Sequence, residues 1–185
     1  MMSSDPREEP ADDVESPQER SPKEFYRRNL PHIQKSGRPI FVTFRTARGL
    51  VLPESVRERV LKHCLHDDGV KIHVHCVVVM PDHVHILLTL RGNPDGVPFS
   101  LKEITQAVKG VSSHTVNRLL KRKGCVWQDE SFDHILRSGH TIEEKAMYIC
   151  ENPVRKGLVG SQDEYPWLWR EWVEGADAQE GSGTE

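Results

Sequence analysis

Val77-Val78-Val79-Met80-Pro81-Asp82-His83-Val84-His85-Ile86-Leu87-Leu88 is an apolar run that breaks at Pro-Asp and resumes at once as a second apolar run. Two oily segments joined by so short a polar connection predict an antiparallel hairpin. Strand side chains alternate between faces, so His83 and His85 share one side, about 7 Å apart along the strand. Two imidazoles at that spacing can grip one metal ion. With Pro81-Asp82 as the loop, Met80 lies opposite His83 and Val78 opposite His85, and Cys76 shares their face. With that loop His73 and His75 fall on the other face, which reads them as structural or surface residues; a slip of one residue reverses the assignment.

Upstream, Pro39 to Thr46 is rich in β-branched and aromatic residues and reads as the first strand. Pro53-Glu54-Ser55 opens a helix with Val56, Val60, Leu61 and Leu65 at helical spacing and Gly69 near its end. Val70 to Met80 is the second strand and Asp82 to Leu90 the third. Downstream, Ser100 followed by Glu103 matches a capping box at the start of a helix over about 101–121. Gly124 to Gln128 reads as a short strand or turn, with Trp127 a core residue, and Phe132 to Arg137 as another extended segment. Thr141 and Glu144 match a second capping box, opening a helix over about 142–151. A residue before proline is pushed out of the α region, so Asn152 is expected where that helix ends, with Tyr148 one turn earlier on nearly the same face. The aromatic stretch from Tyr165 to Trp172 packs across the core.

The chain has 185 residues, enough for one domain with a real core. Its four cysteines (Cys64, Cys76, Cys125, Cys150) form no C-x-x-C pair, which suggests neither a zinc finger nor a disulfide framework. A reduced, cytoplasmic protein is the expectation. The N-terminal stretch lacks the basic-then-apolar pattern of a signal peptide and no apolar run approaches bilayer length, so neither secretion nor membrane insertion is expected. Residues 1–24 hold eight acids against three bases, and residues 174–185 four acids and no base. Both are read as disordered acidic tails around a domain at 25–173. The tails carry −5 and −4 of a net charge of −3, which leaves the body at +6. A basic body is compatible with a phosphate-bearing partner. Candidate DNA contacts are Arg27, Arg28 and Arg45 near the first strand, Lys102, Lys109, Arg118, Lys121, Arg122 and Lys123 along and just after the long helix, and His134 and Arg137 beyond it.

The pattern therefore joins an H-x-H on a strand, a Tyr-x-x-x-Asn late in the chain and a basic helix. A divalent ion on neutral imidazole and amide ligands keeps its full charge as a Lewis acid for an anionic phosphodiester. A nearby tyrosine then serves as a nucleophile on phosphorus. Tyr26 and Tyr165 are weaker candidates, since neither has an amide one helical turn on.

Three blocks make the pattern specific: Val79 to Leu88, then Trp127-Gln128 with Phe132 to Arg137, then Tyr148-Ile149-Cys150-Glu151-Asn152-Pro153-Val154-Arg155-Lys156-Gly157-Leu158-Val159. In this order and spacing the sequence resembles the HUH single-tyrosine transposases, and within them the REP-associated tyrosine transposases, over about residues 25–172. The resemblance implies a ferredoxin-like α+β fold, an antiparallel sheet packed between helices. It implies that His83, His85 and Asn152 hold Mg²⁺ or Mn²⁺. It implies that Tyr148 cleaves and rejoins single-stranded DNA, near a hairpin or repetitive palindromic element, through a 5′-phosphotyrosine that leaves a free 3′-hydroxyl. Asp129-Glu130-Ser131 departs from the family, whose members often carry arginine there. Two other readings are a domesticated, non-catalytic DNA-hairpin binder on the same fold and a hydrolase of small phosphoesters.

Overall fold

The computed structural model describes residues 37–136 and 142–172. Arg27, Arg28, Arg137, the capping residue Thr141, Tyr26 and both proposed tails lie outside the described residues.

The chain order is β1 (Pro39–Thr46), α1 (Glu54–Leu65), β2 (Ile72–Val79), β3 (His83–Leu90), α2 (Leu101–Leu119), β4 (Trp127–Ile135), α3 (Ile142–Cys150), a single turn α4 (Asn152–Arg155) and a short β5 (Leu168–Arg170). The strands form one antiparallel sheet in the order β4-β1-β3-β2-β5. The first six elements follow the β-α-β-β-α-β succession of the ferredoxin-like fold. What sequence reading divides into a turn and a separate extended segment is one strand, β4, paired along β1. The expected aromatic stretch contributes β5, which adds to the free edge of β2.

Alternation along the strands divides the apolar side chains between two layers. Ile40, Val42 and Phe44 of β1, with Val84, Ile86 and Leu88 of β3, face α1 and α2 through Val56, Val60, Ile104, Val108 and Val116. Phe41, Cys76, Val78, Met80 and Leu87 face α3 through Ala146 and Ile149. The sheet is thus packed between helices on both faces. Trp127 is core, edge-on to Phe44 with its indole N–H donating to Ser112 Oγ at 2.8 Å. At the N-terminus of α2 the Ser100 hydroxyl accepts from the Glu103 N–H at 3.3 Å, which satisfies one of the helix's orphan donors. The helix stops at Leu119, two residues short of the expected end, and the chain leaves it through Lys121 in the left-handed region at φ 49°.

The hairpin register sets the site. Val78 pairs with His85, and the Met80 N–H donates to the His83 carbonyl at 2.8 Å, so Pro81-Asp82 is the loop. The carbonyls of both loop residues are held from outside, Pro81 by Leu52 N–H at 2.7 Å and Asp82 by Thr46 N–H at 2.9 Å.

One expectation fails. The register of β2 against β3 shifts between Val74 and Cys76, leaving His75 as an extra residue. Ile72 and Val74 face α1 and α2, yet Val77 and Val79 do so as well. The inserted residue breaks strict alternation. His73 accordingly pairs with Thr89. His75 hydrogen-bonds the Thr89 hydroxyl at 2.9 Å. Thr89 has the same parity on β3 as His83, His85 and Leu87, so His73 and His75 lie on the face of the H-x-H pair, not behind it.

Candidate active site

His83 and His85 project from the start of β3, where the core sequence Val84, Ile86 and Leu88 fixes which side the odd-numbered residues take. Both are almost fully buried, at 4% and 7% exposure. Their rings stand 4.5 Å apart, centroid to centroid. Each has its Nδ1 engaged: that of His83 by Asp82 Oδ1 at 2.7 Å, that of His85 by Thr43 Oγ1 at 2.7 Å. A partner on one ring nitrogen fixes the ring and aims the other nitrogen, the arrangement expected of a metal-ligating histidine. Among the described residues no hydrogen bond engages either Nε2.

Burial disfavours the charged form of His85, and His83, Arg45 and Lys145 add repulsion, which lowers its pKa to about 3. His83 is lowered by burial too, against the raising effect of Asp82. Two neutral imidazoles with free Nε2 atoms suit a cation.

Tyr148, on α3, presents its ring 6.3 Å from that of His85 at 55°. It is 40% exposed. Asn152 does not close α3. That helix stops at Cys150, and Asn152 begins α4, with Pro153 in its first turn. Its side chain is nonetheless buried and makes no hydrogen bond among the described residues. Lys156, one turn beyond it, adds to the positive charge that opposes protonation of His83. Imidazole nitrogens and an amide oxygen fit a divalent cation. Among the described residues, a group of three His, Cys, Asp or Glu donors close enough to hold an ion occurs elsewhere, at His73, His75 and Glu171.

Several site residues escaped sequence reading. Lys145 Nζ lies 4.8 Å from the Tyr148 ring centroid and 4.1 Å from that of Phe41, and Arg155 Cζ lies 5.0 Å from Tyr148. Lys145 and Tyr148 are i and i+3 on a helix, so spacing alone was a usable signal. Thr43 carried none, since its approach to His85 depends on the pairing of β1 with β3. That pairing extends across the sheet as a row from Val78 through His85 and Thr43 to Phe132, which is 62% exposed.

The expected DNA contacts fall into two groups. Arg45 pairs across the strands with His83 and lies 3.7 Å from Asp82 Oδ2, beside the site. His134, opposite Phe41, is on the same face. Helix α2 is on the other face of the sheet. There Lys109 is tied to the Asp129 carbonyl at 2.9 Å and Arg122 to the Cys125 carbonyl at 3.1 Å, while Lys102, Arg118, Lys121 and Lys123 are exposed. Tyr165 is buried, its hydroxyl donating to the Val79 carbonyl at 2.9 Å.

Residues 40–152 match the family model for IS200-like transposases. The chain belongs to this family. A protein of Haemophilus influenzae described as a REP-associated tyrosine transposase is 26% identical over 96 residues, 49% of this chain and 54% of its own length. The chain thus spans about half the length of this curated relative. Among solved structures, a REP-associated tyrosine transposase bound to a REP hairpin superposes with a TM-score of 0.54 at 21% identity, over 72% of this chain and 76% of that one. A Deinococcus radiodurans protein assigned as a transposase gives 0.42 at 22% identity, over 60% of this chain and 87% of its own. This IS200-like transposase therefore shares its α+β fold with the hairpin-bound structure.

Proposed function

We propose that this IS200-like transposase cleaves and rejoins single-stranded DNA, with Tyr148 as nucleophile and His83, His85 and Asn152 as the ligands of Mg²⁺ or Mn²⁺. The observation that carries this reading is the approach of the Tyr148 ring to within 6.3 Å of a buried histidine pair whose Nε2 atoms are uncommitted. When bound, the cation supplies Lewis-acid polarisation of the scissile phosphate.

The chain's own residues do the rest. Asp82 and Thr43 hold the two imidazoles in one orientation. Lys145, Arg155 and Arg45 bring positive charge to the place where the phosphodiester must lie. The Tyr148 oxygen attacks phosphorus, forming a Tyr–O–P bond as the P–O3′ bond breaks. The phenol gives up its proton, the departing 3′ oxygen takes one up, and the 5′ phosphate stays on the tyrosine. Attack by a 3′-hydroxyl reverses the step, joining the strand and releasing the phenol. The relative bound to a REP hairpin supports a hairpin-bearing single strand as substrate, and the cytoplasm is the compartment we assign.

Incubation with end-labelled single strands carrying a hairpin, plus Mn²⁺, yields a covalent protein–DNA adduct that is lost in Tyr148→Phe and on chelation. An adduct of undiminished yield in Tyr148→Phe removes the assignment. Hairpin binding without cleavage across a panel of strands favours a non-catalytic binder on the same fold.

A further inference from the structure

The bulge at His75 creates a second constellation that the reaction above does not use. The Glu171 carboxylate bridges two imidazoles, Oε1 to His75 Nδ1 at 2.7 Å and Oε2 to His73 Nε2 at 2.8 Å. One donor atom from each residue falls within 4.8 Å of the other two. The two rings are edge to face, with centroids 4.7 Å apart. His75 is buried, and its remaining nitrogen, Nε2, meets Thr89 Oγ1 at 2.9 Å. That contact orients the ring and directs Nδ1 at the shared point, as outer partners do for ligating histidines.

We propose that His73, His75 and Glu171 form a second metal site, which takes a borderline divalent cation such as Zn²⁺ or Co²⁺. The ion replaces the protons now lying between the imidazoles and the carboxylate, and keeps an outward position for water. Two imidazoles and one carboxylate favour Zn²⁺ or Co²⁺ over Mg²⁺, which prefers all-oxygen surroundings. The site is separate from the tyrosine centre. Thr89 lies four residues along β3 from His85, about 13 Å at the usual strand rise.

The role is structural. β5 is three residues long and pairs Leu168, Trp169 and Arg170 with Val78, Val77 and Cys76. The next residue, Glu171, continues the pairing by donating its N–H to the His75 carbonyl at 3.0 Å. A cation held by Glu171 from beyond β5 and by two histidines of β2 fastens this short edge strand to the sheet.

The test is Zn²⁺ binding by the full chain, measured by equilibrium dialysis in a Cys125→Ser background that removes the exposed thiol. Glu171→Gln, which keeps the side-chain size, is expected to lose one equivalent of tight Zn²⁺ or to weaken it at least about 100-fold. Thr89→Val is expected to weaken the same equivalent by roughly 10–100-fold. His83→Ala/His85→Ala should retain it. Zn²⁺ should raise the melting temperature of wild type more than that of Glu171→Gln. Zn²⁺ stoichiometry and affinity unchanged in Glu171→Gln overturn the proposal, as does equal thermal stabilisation of the two proteins. The dialysis reads metal and not DNA cleavage, so it stands or falls apart from the role given to Tyr148.

Discussion

Tyr148 and His85 stand ring beside ring, 6.3 Å apart and inclined at 55°, within one chain. Helix α3 packs across β2 and β3 on the face that His85 occupies, with Ala146 and Ile149 buried against the sheet. Those two residues fix the helix's rotation, and the same rotation brings Tyr148 beside the histidine pair while leaving it open to solvent.

Tyr148→Phe is expected to abolish adduct formation while leaving DNA affinity and folding stability nearly unchanged. The side chain is 40% exposed, and no buried hydrogen bond is lost with its hydroxyl, so the stability change should stay within about 0.5 kcal/mol. Adduct assays, gel shifts and a denaturant titration on the same preparation check all three.

The Nδ1 partners of the two histidines should tune metal affinity. Thr43→Val removes the hydroxyl that meets His85, and Asp82→Asn removes the charge beside His83. Each is expected to weaken Mn²⁺ by about 10–100-fold. The Mn²⁺ dependence of cleavage should shift to higher concentration with the maximal rate largely recovered at saturation. A fall in maximal rate with no shift in the Mn²⁺ requirement contradicts the positioning role.

Stability should depend on pH through His85. Its folded pKa is depressed, about 3 against an ordinary 6.5, so the unfolded chain binds the proton first as pH falls. Stability contributed by the neutral ring is therefore full above about pH 6.5 and is lost between pH 6.5 and 3, with a slope of up to about 1.4 kcal/mol per pH unit from this one group. Urea titrations of metal-free protein should show a shallower acid limb in His85→Gln than in wild type.

Phe132 is exposed on β4, across Thr43 from His85, an aromatic surface that would serve a splayed base under the proposed function. Phe132→Ala is expected to weaken single-strand binding by roughly 1–3 kcal/mol with little dependence on salt. Arg45→Ala should instead reduce the salt dependence itself. Fluorescence anisotropy over a salt series distinguishes the two.

Lys121 leaves α2 at φ 49°, a conformation that disfavours any residue with a Cβ. Lys121→Gly should stabilise the fold by roughly 0.5–1 kcal/mol. Helix α2 lies behind the sheet from Tyr148, so cleavage of a short oligonucleotide should be unchanged. Denaturation and single-turnover cleavage measure both.

Much of this arrangement was legible in the chain. The apolar runs of β1, β2 and β3, the Pro81-Asp82 break and the Ser100 cap are local signals, and each forms the element expected of it. The pairing of Val78 with His85 follows from the loop length alone, and with it the face that His83 and His85 share. Tyr148 and Asn152 were visible as residues one turn apart, though α3 breaks at Glu151 and places Asn152 in a turn of its own. The basic character of α2 was equally plain, but which layer that helix joins was not, because a charge pattern carries no information about the far side of a sheet.

What the sequence by itself determined is therefore the hairpin, its parity and the residue types that meet there. Only the tertiary structure decided that Thr43 meets His85, that β5 closes the edge of β2, and that His73 and His75 lie on the same face as His83 and His85. The reason is physical. Strand parity is set residue by residue along the chain, but register is set by hydrogen bonds between segments distant in sequence. A single extra residue at His75, accommodated by the pairing of β2 with β3, moves every side chain before it to the opposite face.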